Sequence, residues 1–445
     1  MSSRCSCQHG NRAIQNQNED TVEPFQITSK PNLLLILDLG EGTQDAEDIK
    51  RQNPQFLVST AILEKHSGYF RALFSLDGFR EGTEISRALA QIEKEYGNVE
   101  NAPREKLPRV TVKRPYDVPV AGATESMKSL LRILQGDILA DWSPSTRGMA
   151  IICVLADAFD CLMQLQAFSK ARVLKYRSRH PKSEATLRQE ILIAMLTKNP
   201  KEFERSFGGN FNVATHQLVI RGSQNWESSD KEQSDVNKEA PRWWHLPNGL
   251  EEELASRRIY LLETIKIIQT YCLAKYSAKE RQCRLGYEDS PQCDSFQLGE
   301  MVRFFNRIGT IDLTQTTDPI MNYTGDVSKL LRSFSSCPSY QICSHHSHCG
   351  LRTMLIPMLD RLQTLVNSGF SCGICLSCWQ HRPDDISWDK PASNNSLDRR
   401  EGHAHAEFKS FFTDSKRKYI LGATSSERNG PDRLDGPPIK TKGSV

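Results

Sequence analysis

The sequence predicts an α+β protein: a small N-terminal mixed sheet capped by helices, then a mainly α-helical domain, with polar tails. Three observations carry this. Two short apolar runs, "NLLLILDLG" (32–40) and "QFLV" (55–58), and one alternating run, "RVTVKRPY" (109–116), have the lengths and patterns of strands. After each of the last two, and through most of the later chain, apolar residues recur at helical spacing. Stretches poor in apolar residues, at 221–242 and from about residue 389, then divide and end the chain.

The elements follow in order. Residues 1–24 have no apolar pattern and are expected to form a disordered tail. The run 32–40 is continuous and ends at Gly40, as a buried strand does. In "QFLVSTAILEKHSGYFRALFS" (55–75), Phe56 and Val58 share one face of a strand. Ser59 stands where a helix N-cap belongs, and Ser67 precedes a second helix carrying Phe70, Leu73 and Phe74. Residues 80–108 are charged, lack a stopping pattern and read as an insertion. The run 109–116 alternates like an edge strand. In 125–136, Met127, Leu130, Leu131 and Leu134 line one helical face that Gly136 ends. Residues 146–176 are long enough for two helices bending near Phe159 and Asp160.

A second helical region follows. Residues 184–207 carry Leu187, Ile191, Ala194 and Met195, and 221–242 is expected to be a linker. "LEEELASRRIYLLETIKIIQTYCLAKYS" (250–277) has a broad stripe of Leu254, Leu261, Leu262, Ile265, Ile268 and Tyr271. Residues 296–309, 326–336 and 350–368 are further amphipathic helices. No internal repeat is visible.

Composition narrows the function. The 57 basic and 54 acidic residues leave a net charge of +3, which gives no reason to expect nucleic acid or an anionic membrane as partner. No apolar run approaches the ~18–20 residues of a membrane span. The opening "MSSRCSCQHGNRAIQNQNED" has no signal-peptide pattern, so the expected compartment is cytoplasmic or nuclear, where thiols stay reduced. Thirteen cysteines, an odd count, then read as free thiols or metal ligands and not as a disulfide framework.

Specific motifs sharpen the N-terminal half. In "FLVSTAILEKHSGYFRALFSLDGFREG" (56–82), a strand runs into a helix, an S-x-x-F-R-A-L-F helix follows, and an F-x-E-G turn closes it. These residues are Ser67, Phe70, Arg71, Ala72, Leu73, Phe74, Phe79, Glu81 and Gly82. "SLLRILQGD" (129–137) and "VLADAFDCLMQL" (154–165), with Ala156, Asp157 and Cys161, follow in order. This arrangement resembles the BTB/POZ domain over about a third of the chain. The wording of 336–353 is also similar to a set of fungal BTB-domain proteins with a helical C-terminal region. The resemblance implies a protein–protein interaction module that homodimerises, and it allows a substrate adaptor of a cullin ubiquitin ligase. Where many members of that family place a His and an Asp to line a charged dimer pocket, this chain has Gln55 and Phe56.

Few residues point to chemistry. "ILDLGEGT" (36–43) is similar to the phosphate loop of actin-like ATPases, but no second loop follows, and a hairpin explains its glycines equally well. No G-x-S-x-G elbow or Walker loop is present, so no cofactor beyond zinc and no catalytic residue is expected. The carboxylates of 250–258 stand at a helix start, a structural place. The ligand-rich stretches are "CPSYQICSHHSHCG" (337–350) and "SCGICLSCWQH" (371–381). Zinc takes Cys and His ligands, often from C-x-x-C, and the candidate ligands are Cys343, His348, Cys349, Cys375 and Cys378. A helix over 351–367 spans about 25 Å and the next few residues return only about 14 Å, so Cys349 and Cys372 do not meet across it unless Pro357 breaks it. Packed free thiols remain the other reading, because positions 372, 375 and 378 share a helical face.

The expected organisation is a tail (1–24), a BTB/POZ-like domain (30–178, insertion 80–108), a helical domain (184–388, linker 221–242) and a mostly disordered tail (389–445). The expected function is non-enzymatic protein binding, with itself as first partner. A zinc-dependent transcriptional or nucleic-acid regulator built on the C-terminal Cys/His region is the alternative from another class.

Overall fold

The computed structural model describes residues 23–40, 53–137, 144–171, 182–197, 211–227, 240–283, 285–286, 288–314, 317–367 and 372–390, with isolated positions at 409, 411, 412 and 420. The expectations for the N-terminal tail through residue 22, for the glycine-rich loop beyond Gly40 and for most of the 221–242 linker lie outside these residues.

The protein is α+β, with a small mixed sheet near the N-terminus followed by many helices. Two compact units divide the chain, one from Met1–Arg114 and Met127–Asp137, the other from Pro115–Ser126 and Ile138–Val445.

In the first unit, β1 (Phe25–Gln26), β2 (Leu33–Asp38), β3 (Gln55–Val58) and β4 (Arg109–Lys113) form one sheet in the order β1-β3-β2-β4. β2 pairs antiparallel with β3, Leu35 opposite Phe56, and parallel with β4, Leu35 opposite Val110. β1 adds a short parallel edge beside β3. The inner position of β2 explains its unbroken apolar run: Leu33, Leu34, Leu35 and Leu37 are all buried. β4 lies at the sheet edge and alternates, with Val110 and Val112 in and Arg109, Thr111 and Lys113 out.

Helix α1 (Thr60–His66) follows Ser59, whose side chain makes no cap. Asn32 supplies it instead, its Oδ1 accepting from the Thr60 amide at 2.8 Å. Helix α2 (Gly68–Phe74) is capped as expected: Ser67 Oγ accepts from the Phe70 amide at 3.1 Å. Phe70 and Phe74 are buried and stacked, and Leu73 is half-buried. Arg71 lies outside, its guanidinium donating to the carbonyls of Glu64 and Lys65 and so tying α2 to the end of α1. Phe79 and Glu81 are exposed.

The stretch read as an insertion contains a helix, α3 (Arg80–Tyr96), that opens inside the F-x-E-G segment. Its charged surface hides a thin buried edge of Gly82, Ile85 and Ile92. Gly97 is its stop signal, at φ 74° with its amide bonded to the Glu93 carbonyl. Gly82 is required by a close approach: a Cβ there would stand 2.9 Å from the Phe74 carbonyl carbon and closer still to the Ser75 oxygen. Gly82→Ala is therefore expected to destabilise by about 1–3 kcal/mol, read by urea denaturation of the full chain. An unchanged midpoint would mean that α2 and α3 are looser than described.

Helix α4 (Ala123–Leu134) carries the expected buried face of Met127, Leu130, Leu131 and Leu134. In the second unit, α5 (Thr146–Ala158) and α6 (Leu162–Ala171) bend at Asp160, which takes φ 46°. Ala156 and Cys161 are buried, and Asp157 pairs with Arg242 at 2.6 Å. α5 packs on α7 (Glu184–Thr197), and α7 on α8 (Phe211–Arg221). The long α9 (Leu250–Ser277) follows, then α10 (Ser290–Arg307), α11 (Val327–Ser335), α12 (Leu351–Asn367), α13 (Leu376–His381) and α14 (Pro383–Ile386). The carboxylates at the start of α9 are held in ion pairs, Glu251 with Arg188 and Glu253 with Arg257. In the expected C-terminal tail, Lys409, Phe412 and Ile420 are buried, and Phe412 stacks on Trp388. No helix among the described residues is long and apolar enough to cross a membrane.

Candidate metal centre

Among the described residues, two groupings offer ligands to a metal ion: Cys283, Cys293, His346 and Cys349, and Asp289, Cys343 and His346. Both belong to the second unit. The loop after α9 and the start of α10 supply Cys283, Asp289 and Cys293. The loop before α12 supplies the rest.

Local structure aims these side chains. Asp289 is the residue before α10, the place where an Asp ordinarily caps the helix amides, yet its side chain makes no cap. Its carboxylate faces His346 and Cys343 instead, 2.9 Å from His346 Nε2 and 3.5 Å from Cys343 Sγ. Cys293 follows in the first turn of α10. The next residue, Asp294, accepts from the amides of Gln282 and Cys283 at 2.8 and 2.9 Å, which fixes Cys283 beside the helix start.

On the facing loop, two consecutive tight turns, His346 amide to Cys343 carbonyl and Cys349 amide to His346 carbonyl, put His346 and Cys349 on one side. Buried Gln297 of α10 holds both ends of this loop, donating to the Tyr340 carbonyl at 2.8 Å and accepting from the Leu351 amide at 3.3 Å. Tyr276 Oη, near the end of α9, donates to the Cys349 carbonyl at 2.5 Å.

The four ligand atoms of the larger grouping lie within 4.8 Å of one another. His346 Nδ1 is 3.4 Å from Cys283 Sγ and 3.6 Å from Cys349 Sγ, and those two sulfurs are 3.7 Å apart. His346 has no solvent exposure. The cysteines are free thiols.

Protonation in the cluster is mutually frustrated. Burial pushes the Cys293 thiol up to about 12, and charge on Cys349 and Cys283 adds to the rise. Burial likewise raises Cys349, reinforced by its bond to Cys283. Burial works against ionisation of Cys283 too, but hydrogen bonds to its sulfur bring it below the ordinary thiol value. The hydrogen bond with Asp289 raises His346, and the same bond lowers Asp289. Three thiolates in one buried place repel; a cation among them removes the conflict.

Of the five ligands expected from sequence, Cys349 belongs to the four-membered grouping and Cys343 to the three-membered one. His348 is exposed and belongs to neither. Cys375, at the start of α13, and Cys378 within it are half-buried and also belong to neither. Helix α12 is continuous through Pro357. Cys372 is buried, its carbonyl accepting from Arg257.

Cys283, Cys293 and His346 are the members that sequence reasoning missed. H-x-x-C at 346–349 was a legible half-site. The other half was not, because nine residues separate Cys283 from Cys293 and a helix start brings them together. Compared with known proteins, the chain matches no family model, no curated protein and no solved structure.

Proposed function

We propose that this chain is a non-enzymatic protein-interaction protein that associates with a second copy of itself through an N-terminal BTB/POZ-like unit. The observation that supports it best is the order of elements in the first unit. An antiparallel strand pair leads into a two-helix hairpin that turns at Ser67, a further strand returns after α3 parallel to the first of the pair, and a helix follows. The motif resemblance implies this order, and Phe70, Phe74 and Gly82 take the buried places that such a core needs. The expected contact is isologous, one patch against its twofold copy.

Zinc in the Cys/His region is part of the same reading, in a structural and not a catalytic role. A cytoplasmic or nuclear location goes with it, since reduced thiols are what a zinc site requires. Service as a cullin-ligase adaptor is a narrower form of the same idea. A nucleic-acid regulator is less well supported, because the charge is nearly balanced.

Co-expression of tagged and untagged full chains tests the reading. Capture of the tagged copy is expected to recover the untagged one. Recovery of the tagged copy alone would sink self-association, and stoichiometric recovery of a cullin would move the function to the adaptor form.

A further inference from the structure

We infer that the helical unit holds one zinc ion in a closed tetrahedral site made of Cys283 Sγ, Cys293 Sγ, Cys349 Sγ and His346 Nδ1, and that this ion locks the two ligand loops in place. The inference rests on the zinc reading above and adds the ligand set, the histidine tautomer and the task of the ion.

With Zn–S of about 2.3 Å and Zn–N of about 2.0–2.1 Å, a regular tetrahedron has S···S edges of about 3.75 Å and S···N edges of about 3.55 Å. The sulfurs of Cys283 and Cys349 are 3.7 Å apart, and each lies 3.4 or 3.6 Å from His346 Nδ1. These atoms close one face of a tetrahedron, and Cys293 Sγ supplies the fourth vertex within 4.8 Å. A disulfide between Cys283 and Cys349 would need about 2.05 Å.

The His346 imidazole is oriented for the same role. Asp289 accepts from His346 Nε2 at 2.9 Å, so in the neutral ring the proton is on Nε2 and the lone pair on Nδ1. That lone pair faces two sulfurs inside a side chain with no solvent exposure. A carboxylate behind a ligating histidine is the usual means of fixing ring orientation at a metal site. It also explains why Asp289 leaves the end of α10 uncapped. The smaller grouping shares His346 and Asp289 and is the outer side of the same arrangement.

Burial indicates what the ion does. Across 337–350, only Cys337, His346 and Gly350 are buried, and among the described residues of 281–289 only Cys283 is. Among the described residues, neither loop has an apolar core to offset the entropy of ordering it. An ion bound by both loops joins them to each other and to α10. Four protein ligands leave no open position, as in structural zinc sites. Three thiolates and an imidazole favour zinc over hard cations such as magnesium and calcium, which prefer oxygen. On binding, each thiol releases its proton to solvent.

The test uses the full chain without a polyhistidine tag, kept reduced. Metal analysis is expected to find one zinc per chain, and X-ray absorption at the zinc edge to fit three sulfurs and one nitrogen. Cobalt(II) in its place should show thiolate charge transfer and the strong visible bands of a tetrahedral site. Cys283→Ser and Cys293→Ser should each lose the metal, while Cys375→Ser and Cys378→Ser keep it. Asp289→Asn should weaken zinc binding about 10–100-fold. Chelation should open 281–289 and 337–350 to proteolysis first.

Zero zinc, with none taken up on addition, overturns this inference and the zinc reading together. One zinc that survives both Cys283→Ser and Cys293→Ser, that is lost with Cys375→Ser, or whose absorption spectrum fits oxygen ligands overturns the ligand set and leaves the zinc reading standing. The spectrum of the unaltered chain decides the matter even if the variants fail to fold.

Discussion

Replacing Arg257 with alanine is expected to cost the chain about 3–5 kcal/mol of stability. Arg257 and Glu253 stand one turn apart on α9, paired at 2.6 Å and both essentially without solvent exposure. The guanidinium also donates to the carbonyls of Gly373 at 2.6 Å, Cys372 at 3.3 Å and Ile386 at 2.9 Å. Glu253 in turn accepts from the Trp388 amide, and the Trp388 ring lies 5.1 Å from the guanidinium. One turn of helix therefore holds 372–373 and 386–388, segments with little regular structure of their own.

Removing the cation strands the Glu253 carboxylate in the interior and leaves three carbonyls without their donor. Urea denaturation followed by tryptophan fluorescence reads the loss; a change under about 1 kcal/mol would contradict this account. Arg257→Met combined with Glu253→Leu should recover the part of the loss that comes from the unpaired charge, but not the part that comes from the carbonyls of Cys372, Gly373 and Ile386 and the Trp388 amide, which stay without these partners.

Phe70→Ala is expected to cost a similar amount, about 3–5 kcal/mol, in the first unit. Phe70 is buried, its ring 5.7 Å from Phe74 and 5.3 Å edge-on from Tyr69, and its amide is bonded by Ser67. Truncation leaves a cavity between α2 and its neighbours that a seven-residue helix cannot close by shifting. At about 1.4 kcal/mol per factor of ten, amide exchange in β2 and β3 should accelerate by roughly two to three and a half orders of magnitude if it proceeds through unfolding of the unit. Exchange at the wild-type rate would mean that Phe70 is not part of this core.

How much of this was legible depended on which signal each element carries. The strand at 33–38, the Ser67 cap and the bend at Asp160 were readable because each is a local device with its own residue types. So was α9, whose broad stripe from Leu254 to Tyr271 runs for about five turns. Helix α3 was not, because its buried edge is only Gly82, Ile85 and Ile92 among charges. Helix α8 was missed for the opposite reason. Phe211, Ala214, Thr215, Leu218, Val219 and Ile220 are buried on several sides, and β-branched residues blur the helical propensity.

The metal grouping shows a third kind of limit. Half of it is a short-range pattern, H-x-x-C. The other half depends on Asp294 fixing Cys283 against a helix start more than fifty residues upstream, a tertiary fact with no spacing signature. Cys375 and Cys378 had the more familiar spacing, yet neither belongs to the grouping.

Helices α5 and α6, expected to close the N-terminal domain, group with the helical unit, where α5 packs on α7. Deleting 25–180 would therefore remove part of the second core together with the first unit, and a lost partner could not be assigned to either. The full chain is the right object.

Sedimentation equilibrium of the intact chain at tens of micromolar tests the central claim most directly. Self-association through the N-terminal unit predicts a particle of twice the 50.4 kDa chain mass. A single 50.4 kDa species across that concentration range would contradict it.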